Sequence, residues 1–135
     1  MKCSNCQILV VEDSSVLRLV LQRTLSTAGF SVMTAIDGAA AWQLCMQHDF
    51  ELIVTDEQMP GLTGSELCHQ LRKTTRFAKT PILMVTGKAY ELDQTSLRAD
   101  LGISAVFVKP FSPTNILRTV QRELAASSAS SASSK

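Results

Sequence analysis

The chain has 135 residues, of which 45% are hydrophobic and 19% charged, and its formal net charge is +1. This length and composition predict one globular domain and exclude a disordered or collagen-like chain. The nearly neutral charge gives no reason to expect direct binding to nucleic acid or to a membrane surface, and no apolar run reaches the roughly 20 residues that span a bilayer.

The N-terminal residues lack the pattern of a signal peptide, so we expect a cytoplasmic protein. Residues 1–6 form an N-terminal extension in which Cys3 and Cys6 make a C-x-x-C motif. Such a motif can be half of a zinc site or a redox pair, but no second Cys/His pair follows at metal-site spacing and the motif precedes the first strand. We therefore interpret it as neither, and we expect Cys45 and Cys68 to fill space in the core.

Apolar runs of strand length alternate with segments of helical period along the first half of the chain. In order, these are a strand at Gln7–Glu12, a helix from Ser14 or Ser15 to Gly29, a strand at Ser31–Ala35, a turn at Asp37-Gly38, a helix at Ala39–His48 and a strand at Leu52–Asp56. The first helix is predicted from the spacing of its apolar residues, which are Val16, Leu17, Val20, Leu21 and Leu25. The strand ending at Asp56 is almost wholly apolar, as expected when both of its faces are covered.

The second half continues the same alternation. A loop at Glu57–Gly64 is followed by a helix at Ser65–Thr74, a strand from Pro81 to Val85, a weaker helix at Tyr90–Leu101, a strand at Ala105–Val108 and an amphipathic helix at Ser112–Ala126. Residues 126–135 are rich in serine and alanine, and we interpret them as a tail or linker. The folded domain is therefore predicted to span residues 7–125.

Five strand-helix alternations predict an α/β fold, namely a flavodoxin-like, doubly wound, five-stranded parallel sheet with helices on both faces. The strand order expected for this fold is 2-1-3-4-5, in which the first and third strands are neighbours. Glu12 and Asp13 would then lie beside Asp56. Adjacent strands are about 4.8 Å apart, so these carboxylates can share one small cation, and oxygen ligands in a wet cleft favour Mg²⁺.

Two further strands also end on polar residues, since Thr86 follows the fourth strand and Lys109 the fifth. The carboxyl ends of parallel strands meet at one edge of the sheet, where ligands bind. Together with Asp56 and its acidic neighbours, these residues predict a site for chemistry on a phosphoryl group.

The joint pattern resembles the receiver domain of two-component response regulators, of the chemotaxis-receiver type. The resemblance rests on Glu12-Asp13, Asp37-Gly38, Asp56 with Met59-Pro60 and Gly64, Thr86, and Lys109-Pro110-Phe111. It covers residues 7 to 125 in order, and it is more specific than any single motif.

The resemblance implies that Asp56 takes a phosphoryl group from the phosphohistidine of a sensor histidine kinase or phosphotransfer protein. A carboxylate can serve as such a nucleophile, and Mg²⁺ held by Asp13, Asp56, the backbone carbonyl of Gln58 and Glu12, the last directly or through water, would offset the charge repulsion. Lys109 and Thr86 would each contact a phosphoryl oxygen. The protein would then be a signalling receiver and not an enzyme acting on other substrates.

Output is expected to pass through the loops after the fourth and fifth strands to a downstream protein partner or output domain, which would contact the face formed by residues 90–126. Many receivers have an aromatic residue three positions before the lysine, whereas this chain has Val106 there. Phe107 is expected to point to the opposite face of the sheet. We therefore expect the Thr86-Gly87-Lys88 loop and the weakly patterned helix at Tyr90–Leu101 to carry the movement.

Three alternatives remain open from the sequence. A magnesium-dependent phosphatase also places an aspartate nucleophile after a strand, but it needs an acid where this chain has Gln58. A flavodoxin-like cofactor binder would need a phosphate-binding loop where this chain has Glu12 and Asp13. The third alternative is a receiver-like module that binds partners without taking phosphate.

Overall fold

The computed structural model describes residues 7–87 and 100–133, with side chains described as far as residue 126. Its elements are β1 (Gln7–Val11), α1 (Ser15–Thr27), β2 (Ser31–Ala35), α2 (Gly38–Gln47), β3 (Leu52–Asp56), α3 (Gly64–Arg72), β4 (Ile82–Thr86), β5 (Ile103–Val108) and α4 (Pro113–Ser133). All strand pairs are parallel and the order is β2-β1-β3-β4-β5. The predicted fold and strand order are confirmed.

Two predictions fall mostly or wholly on undescribed residues. The C-x-x-C motif at Cys3 and Cys6 lies outside the described part of the chain, and so does the expected helix at Tyr90–Leu101 except for its last two residues. Within the described residues, no helix is long and apolar enough to cross a membrane.

The helices that flank the functional edge start at side-chain caps. Ser14 accepts a hydrogen bond from the backbone N–H of Leu17, which selects Ser14 over Ser15 as the cap of α1. Asp37 caps α2, and Thr63 forms a reciprocal capping box with Glu66 at the start of α3. Such caps satisfy N–H groups that a helix leaves unpaired, and they fix where each helix begins.

The strands bury both faces, as their apolar sequences predict. Alternate residues of each strand pack against α2 and α3 on one face and against α1 and α4 on the other. Val106 belongs to the first cluster and Phe107 to the second, so the prediction that they point to opposite faces is confirmed. Cys45 and Cys68 are free and buried, and burial raises the pKa of their thiols to about 11 and about 12.

Three local predictions differ from the structure. Val16, in the first turn of α1, is 68% exposed, because the helix packs on the core through its later turns, where Leu21 and Leu25 are buried. Strand β5 begins at Ile103 instead of Ala105. Its pairing with β4 is irregular, because Ile82 pairs with Ile103 and Leu83 with Ala105, which leaves Ser104 as one extra residue in β5. The helical backbone of α4 continues to Ser133 and does not stop at Ala126, in keeping with the high helix propensity of alanine.

Candidate functional site

The polar residues predicted from the strand ends do meet at the carboxyl edge of the sheet. Backbone hydrogen bonds extend the strand pairing into the loops that carry them: Glu12 donates to Ala35 at 3.0 Å, and Lys109 donates to Thr86 at 2.8 Å. The loops therefore leave the sheet in defined directions, and their side chains are positioned by the sheet itself.

Three carboxylates form the centre of the site. Glu12, Asp13 and Asp56 each offer one oxygen, and these oxygens lie within 4.8 Å of one another. Glu12 and Asp56 are 1% and 2% exposed, whereas Asp13 is exposed to solvent. The cluster is thus buried on one side and open to water on the other.

Lys109 places its ammonium group against the two buried acids. Its Nζ donates to Oδ2 of Asp56 at 3.2 Å and lies 3.5 Å from Oε1 of Glu12. The lysine side chain is 26% exposed, so water only partly screens these contacts. One cation therefore faces two buried carboxylates.

Burial dominates the electrostatics of the acids. It raises the pKa of Glu12 to about 7, aided by the charge of Asp56 and opposed by the N–H of Ser14 and by Lys109. Burial also raises the pKa of Asp56, although Lys109 opposes this shift. Burial alone would lower the pKa of Lys109, but its contacts with Asp56 and Glu12 raise it. Lys109 is thus positively charged, and this one ammonium group favours the charged forms of both acids.

The second oxygen of Asp56 shows that the site fits a cation. Oδ1 of Asp56 is buried and has no hydrogen-bond partner among the described residues. Buried polar atoms are almost always satisfied, so an unpaired carboxylate oxygen beside two other acids is suited to a metal ligand. The donor set is all oxygen, which matches Mg²⁺ better than a transition metal.

The side chain of Gln58 joins the loop after β3 to the end of β4. Its Oε1 accepts hydrogen bonds from Oγ1 of Thr86 and from the backbone N–H of Gly87, both at 3.1 Å. Sequence reasoning used only the backbone carbonyl of Gln58 and missed this role of its side chain. No local pattern signals it, because the partners lie 28 and 29 residues further along the chain.

Arg18 is a second residue that sequence reasoning missed. Its Nη1 donates to the backbone carbonyl of Glu12 at 2.9 Å and lies 3.5 Å from that of Asp13. The backbone N–H of Ser14 donates to Oε2 of Glu12 at 3.1 Å. These bonds hold the loop after β1 in the shape that presents both acids, and a basic residue on the second turn of α1 is the signal that was available.

Gly64 allows the loop after β3 to fold tightly against Asp56. Its N–H donates to the carbonyl of Glu57 at 3.0 Å, and a Cβ atom at this position would overlap the backbone oxygen of Asp56. The carboxylate of Glu57 accepts from the N–H and the hydroxyl of Ser65, which ties the same loop to α3. The glycine is thus required by close backbone approach.

Comparison with known families identifies the family of this chain. Residues 8–121 match the model of the response regulator receiver domain. The chain belongs to the response-regulator receiver family.

Individual relatives place this receiver near the chemotaxis proteins. It is 38% identical over 112 residues to chemotaxis protein CheY1 of Helicobacter pylori, covering 79% of this chain and 87% of that protein. The structure of chemotaxis response regulator CheY4 of Vibrio cholerae superposes with a TM-score of 0.80 at 35% identity, covering 88% of this chain and 98% of the other.

A longer regulator shows the same domain in another setting. The receiver is 37% identical to the alkaline phosphatase synthesis transcriptional regulatory protein PhoP of Bacillus subtilis, covering 97% of this chain and 53% of PhoP. The family is that of two-component signalling proteins. This family replaces the phosphatase and the flavodoxin-like cofactor binder as the interpretation of the fold.

Proposed function

We propose that this receiver accepts a phosphoryl group on Asp56 from the phosphohistidine of a sensor kinase or phosphotransfer protein, with Mg²⁺ as cofactor, and thereby changes its protein contacts. One observation carries the proposal. The buried carboxylate of Asp56 has Lys109 on one oxygen and no partner on the other among the described residues, and it lies within 4.8 Å of the ligand oxygens of Glu12 and Asp13.

The carboxylate of Asp56 is the nucleophile of this reaction. One of its oxygens forms a bond to phosphorus as the bond between phosphorus and the donor's imidazole nitrogen breaks, and the nitrogen keeps the electron pair. Little further covalent work is needed in such a transfer, so catalysis depends on position and charge. The sheet supplies the position, because Asp56 is the last residue of β3.

Lys109 and Thr86 supply the charge and hydrogen bonding on the protein side. The ammonium group of Lys109 is already 3.2 Å from Asp56, so it is positioned to pair with an oxygen of the group that forms there. Thr86 is the last residue of β4, whose Val85 pairs with Asp56, and its hydroxyl can donate to a second oxygen. Lys109 is in place before the phosphoryl group arrives, whereas the hydroxyl of Thr86 donates to Gln58 in this structure and would have to turn toward the new group.

The residues that would hold Mg²⁺ are Asp13, Asp56 and the backbone carbonyl of Gln58, with Glu12 acting directly or through water. When bound, the ion neutralises negative charge on the carboxylates and the transferred group. Burial, aided by the charge of Asp56, raises the pKa of Glu12 to about 7, so a cation bound beside these acids would favour their charged forms.

The relatives suggest two kinds of output. CheY1 is named as a chemotaxis protein and PhoP as a transcriptional regulatory protein. For this receiver we infer output by protein contact through the face of residues 90–126. The structure describes residues 100–126 of this face, which include β5 and the first part of α4.

A small phosphodonor tests the proposal without the cognate kinase. The wild-type protein is incubated with acetyl phosphate and Mg²⁺, and its intact mass is measured. A gain of one phosphoryl group that EDTA prevents, and that Asp56→Asn abolishes, is the expected result. Asp49→Asn is the matched control, since Asp49 is an exposed aspartate that pairs with Arg76 away from the site. If the mass of the wild-type protein does not change, the better interpretation is a receiver-like module that binds partners without taking phosphate.

A further inference from the structure

The side chain of Gln58 occupies the hydroxyl of Thr86, the donor that the proposed function assigns to a phosphoryl oxygen. Gln58 lies two residues after Asp56, and its amide reaches across to the end of β4. There it contacts both the hydroxyl of Thr86 and the backbone N–H of Gly87 at 3.1 Å.

The chemistry of the partners fixes which amide atom faces them. A backbone N–H can only donate a hydrogen bond, so the atom opposite Gly87 must be the amide oxygen. That oxygen is an acceptor only, so the hydroxyl of Thr86 must direct its hydrogen toward Gln58. Both lone pairs of Oε1 are therefore used, and the loop after β4 is held by the loop after β3.

A hydroxyl group has one hydrogen to donate. While Thr86 donates it to Gln58, it cannot donate the same hydrogen to a group on Asp56. Phosphorylation and the bond to Gln58 therefore compete for Thr86.

We propose that Gln58 is a positioning residue that holds the Thr86–Gly87 segment in its resting arrangement and so opposes the phosphorylated one. This rests on the proposed function, because it assigns the phosphoryl group to Asp56 and a donor role to Thr86. The Gln58 side chain adds no charge to the site. Its effect is on the equilibrium between two arrangements of one segment.

The effect is expected to be modest. Gln58 and Gly87 are exposed, so water replaces part of what the two hydrogen bonds contribute. Removing both bonds should favour the phosphorylated arrangement by about two- to tenfold, the range expected when weak neutral hydrogen bonds are lost.

The test uses Gln58→Met, which keeps the length of the side chain and its backbone carbonyl but removes the acceptor. Gln70→Met is the matched control, because Gln70 is an exposed glutamine on α3. Two measurements are made on the full chain: exchange of the Gly87 amide hydrogen by NMR without metal, and affinity for beryllofluoride, a mimic of the phosphoryl group, with Mg²⁺.

Faster exchange at Gly87 and beryllofluoride binding that is about two- to tenfold tighter are expected for Gln58→Met and not for Gln70→Met. In a Thr86→Val background, which lacks the hydroxyl, the gain in affinity from Gln58→Met should shrink. Titration with Mg²⁺ alone shows whether metal affinity changes by the same factor, an outcome that would contradict the proposal.

The outcomes separate this inference from the function on which it rests. If the wild-type protein binds beryllofluoride and Gln58→Met binds it equally or less tightly, the role of Gln58 is wrong and the proposed function stands. If the wild-type protein binds none, both are overturned.

Discussion

Nζ of Lys109 lies 3.2 Å from Oδ2 of Asp56, although Lys109 follows β5, Asp56 ends β3, and β4 separates these two strands in the sheet. The contact spans two strand spacings, which the long lysine side chain can bridge and a shorter residue cannot. It joins the proposed phosphorylation site to the edge strand of the sheet. The same ammonium group also faces Glu12, so the charge balance of the site depends on it.

Replacing Lys109 with Met should destabilise the metal-free protein. Two buried carboxylates would lose their shared cation, at a cost of about 1–3 kcal/mol at pH 8, a figure reduced from that of a fully buried pair because the lysine is partly exposed. Urea denaturation in EDTA measures it, with Lys79→Met, an exposed lysine on the connection before β4, as control. Equal stability of Lys109→Met and wild type would show that the contact contributes nothing.

The stability of the metal-free protein should fall as the pH rises from about 4.5 to about 7. The pKa of Glu12 is raised from 4.5 to about 7, so within this window the folded protein holds a proton that the unfolded chain has released. The unfolding free energy therefore decreases with rising pH, by up to about 3 kcal/mol, and is flat above the window. The raised pKa of Asp56 acts in the same direction.

Denaturation in EDTA at a series of pH values tests this dependence. Glu12→Gln should remove most of it and should be more stable than wild type at pH 8, because the buried group is then neutral. A wild-type curve that instead rises between pH 5 and 7 would contradict the assigned sign.

Magnesium should stabilise the folded protein through the acidic cluster. At concentrations ten to a hundred times the dissociation constant, the gain is about 1–3 kcal/mol, since only the folded chain brings the three carboxylates together. Asp13→Asn should be more stable than wild type without metal, because it removes like-charge repulsion, and should gain less from Mg²⁺. Thermal melting with and without Mg²⁺ checks both, and no shift in wild type would argue against a metal site.

Gly64→Ala should destabilise the protein by disturbing the backbone at Asp56, the proposed site of phosphorylation. The new methyl group would overlap the backbone oxygen of Asp56, so either β3 or the start of α3 must move, at about 1–3 kcal/mol. Gly87→Ala is a matched control for stability, because a Cβ atom there meets nothing within 4 Å. Denaturation midpoints of the two variants make the comparison, and equal midpoints would show that the approach of Gly64 to Asp56 is not tight.

Much of the fold could be predicted because four of the five strands are apolar runs that end on a polar residue or directly before one. The run from Leu52 to Asp56 predicted both a buried central strand and an acid at its carboxyl end. In the structure β3 pairs with β1 and β4, and Asp56 is its last residue, opposite Val85 of β4. Parallel pairing then brings five residues from distant parts of the sequence to one edge of the sheet. This is why the acidic cluster could be predicted from the sequence.

Long-range contacts of loop side chains could not be foreseen in the same way. The bonds of Gln58 to Thr86 and Gly87 depend on a rotamer and a loop path that no periodic pattern encodes. The exposure of Val16 has a similar origin, since helical spacing shows which residues share a face but not which turns of that face the core covers. Prediction was strongest where the backbone ladder fixes position and weakest where a single side chain does.

The central claim is that Asp56 itself carries the phosphoryl group, and chemical mapping of the acyl phosphate tests it most directly. After reaction with acetyl phosphate and Mg²⁺, borohydride reduction converts a phosphorylated aspartate into homoserine, which peptide mass spectrometry can locate. We predict homoserine at position 56, dependent on Mg²⁺ and accompanied by unmodified Glu12 and Asp13. Homoserine at another aspartate, with position 56 unmodified, would contradict the account.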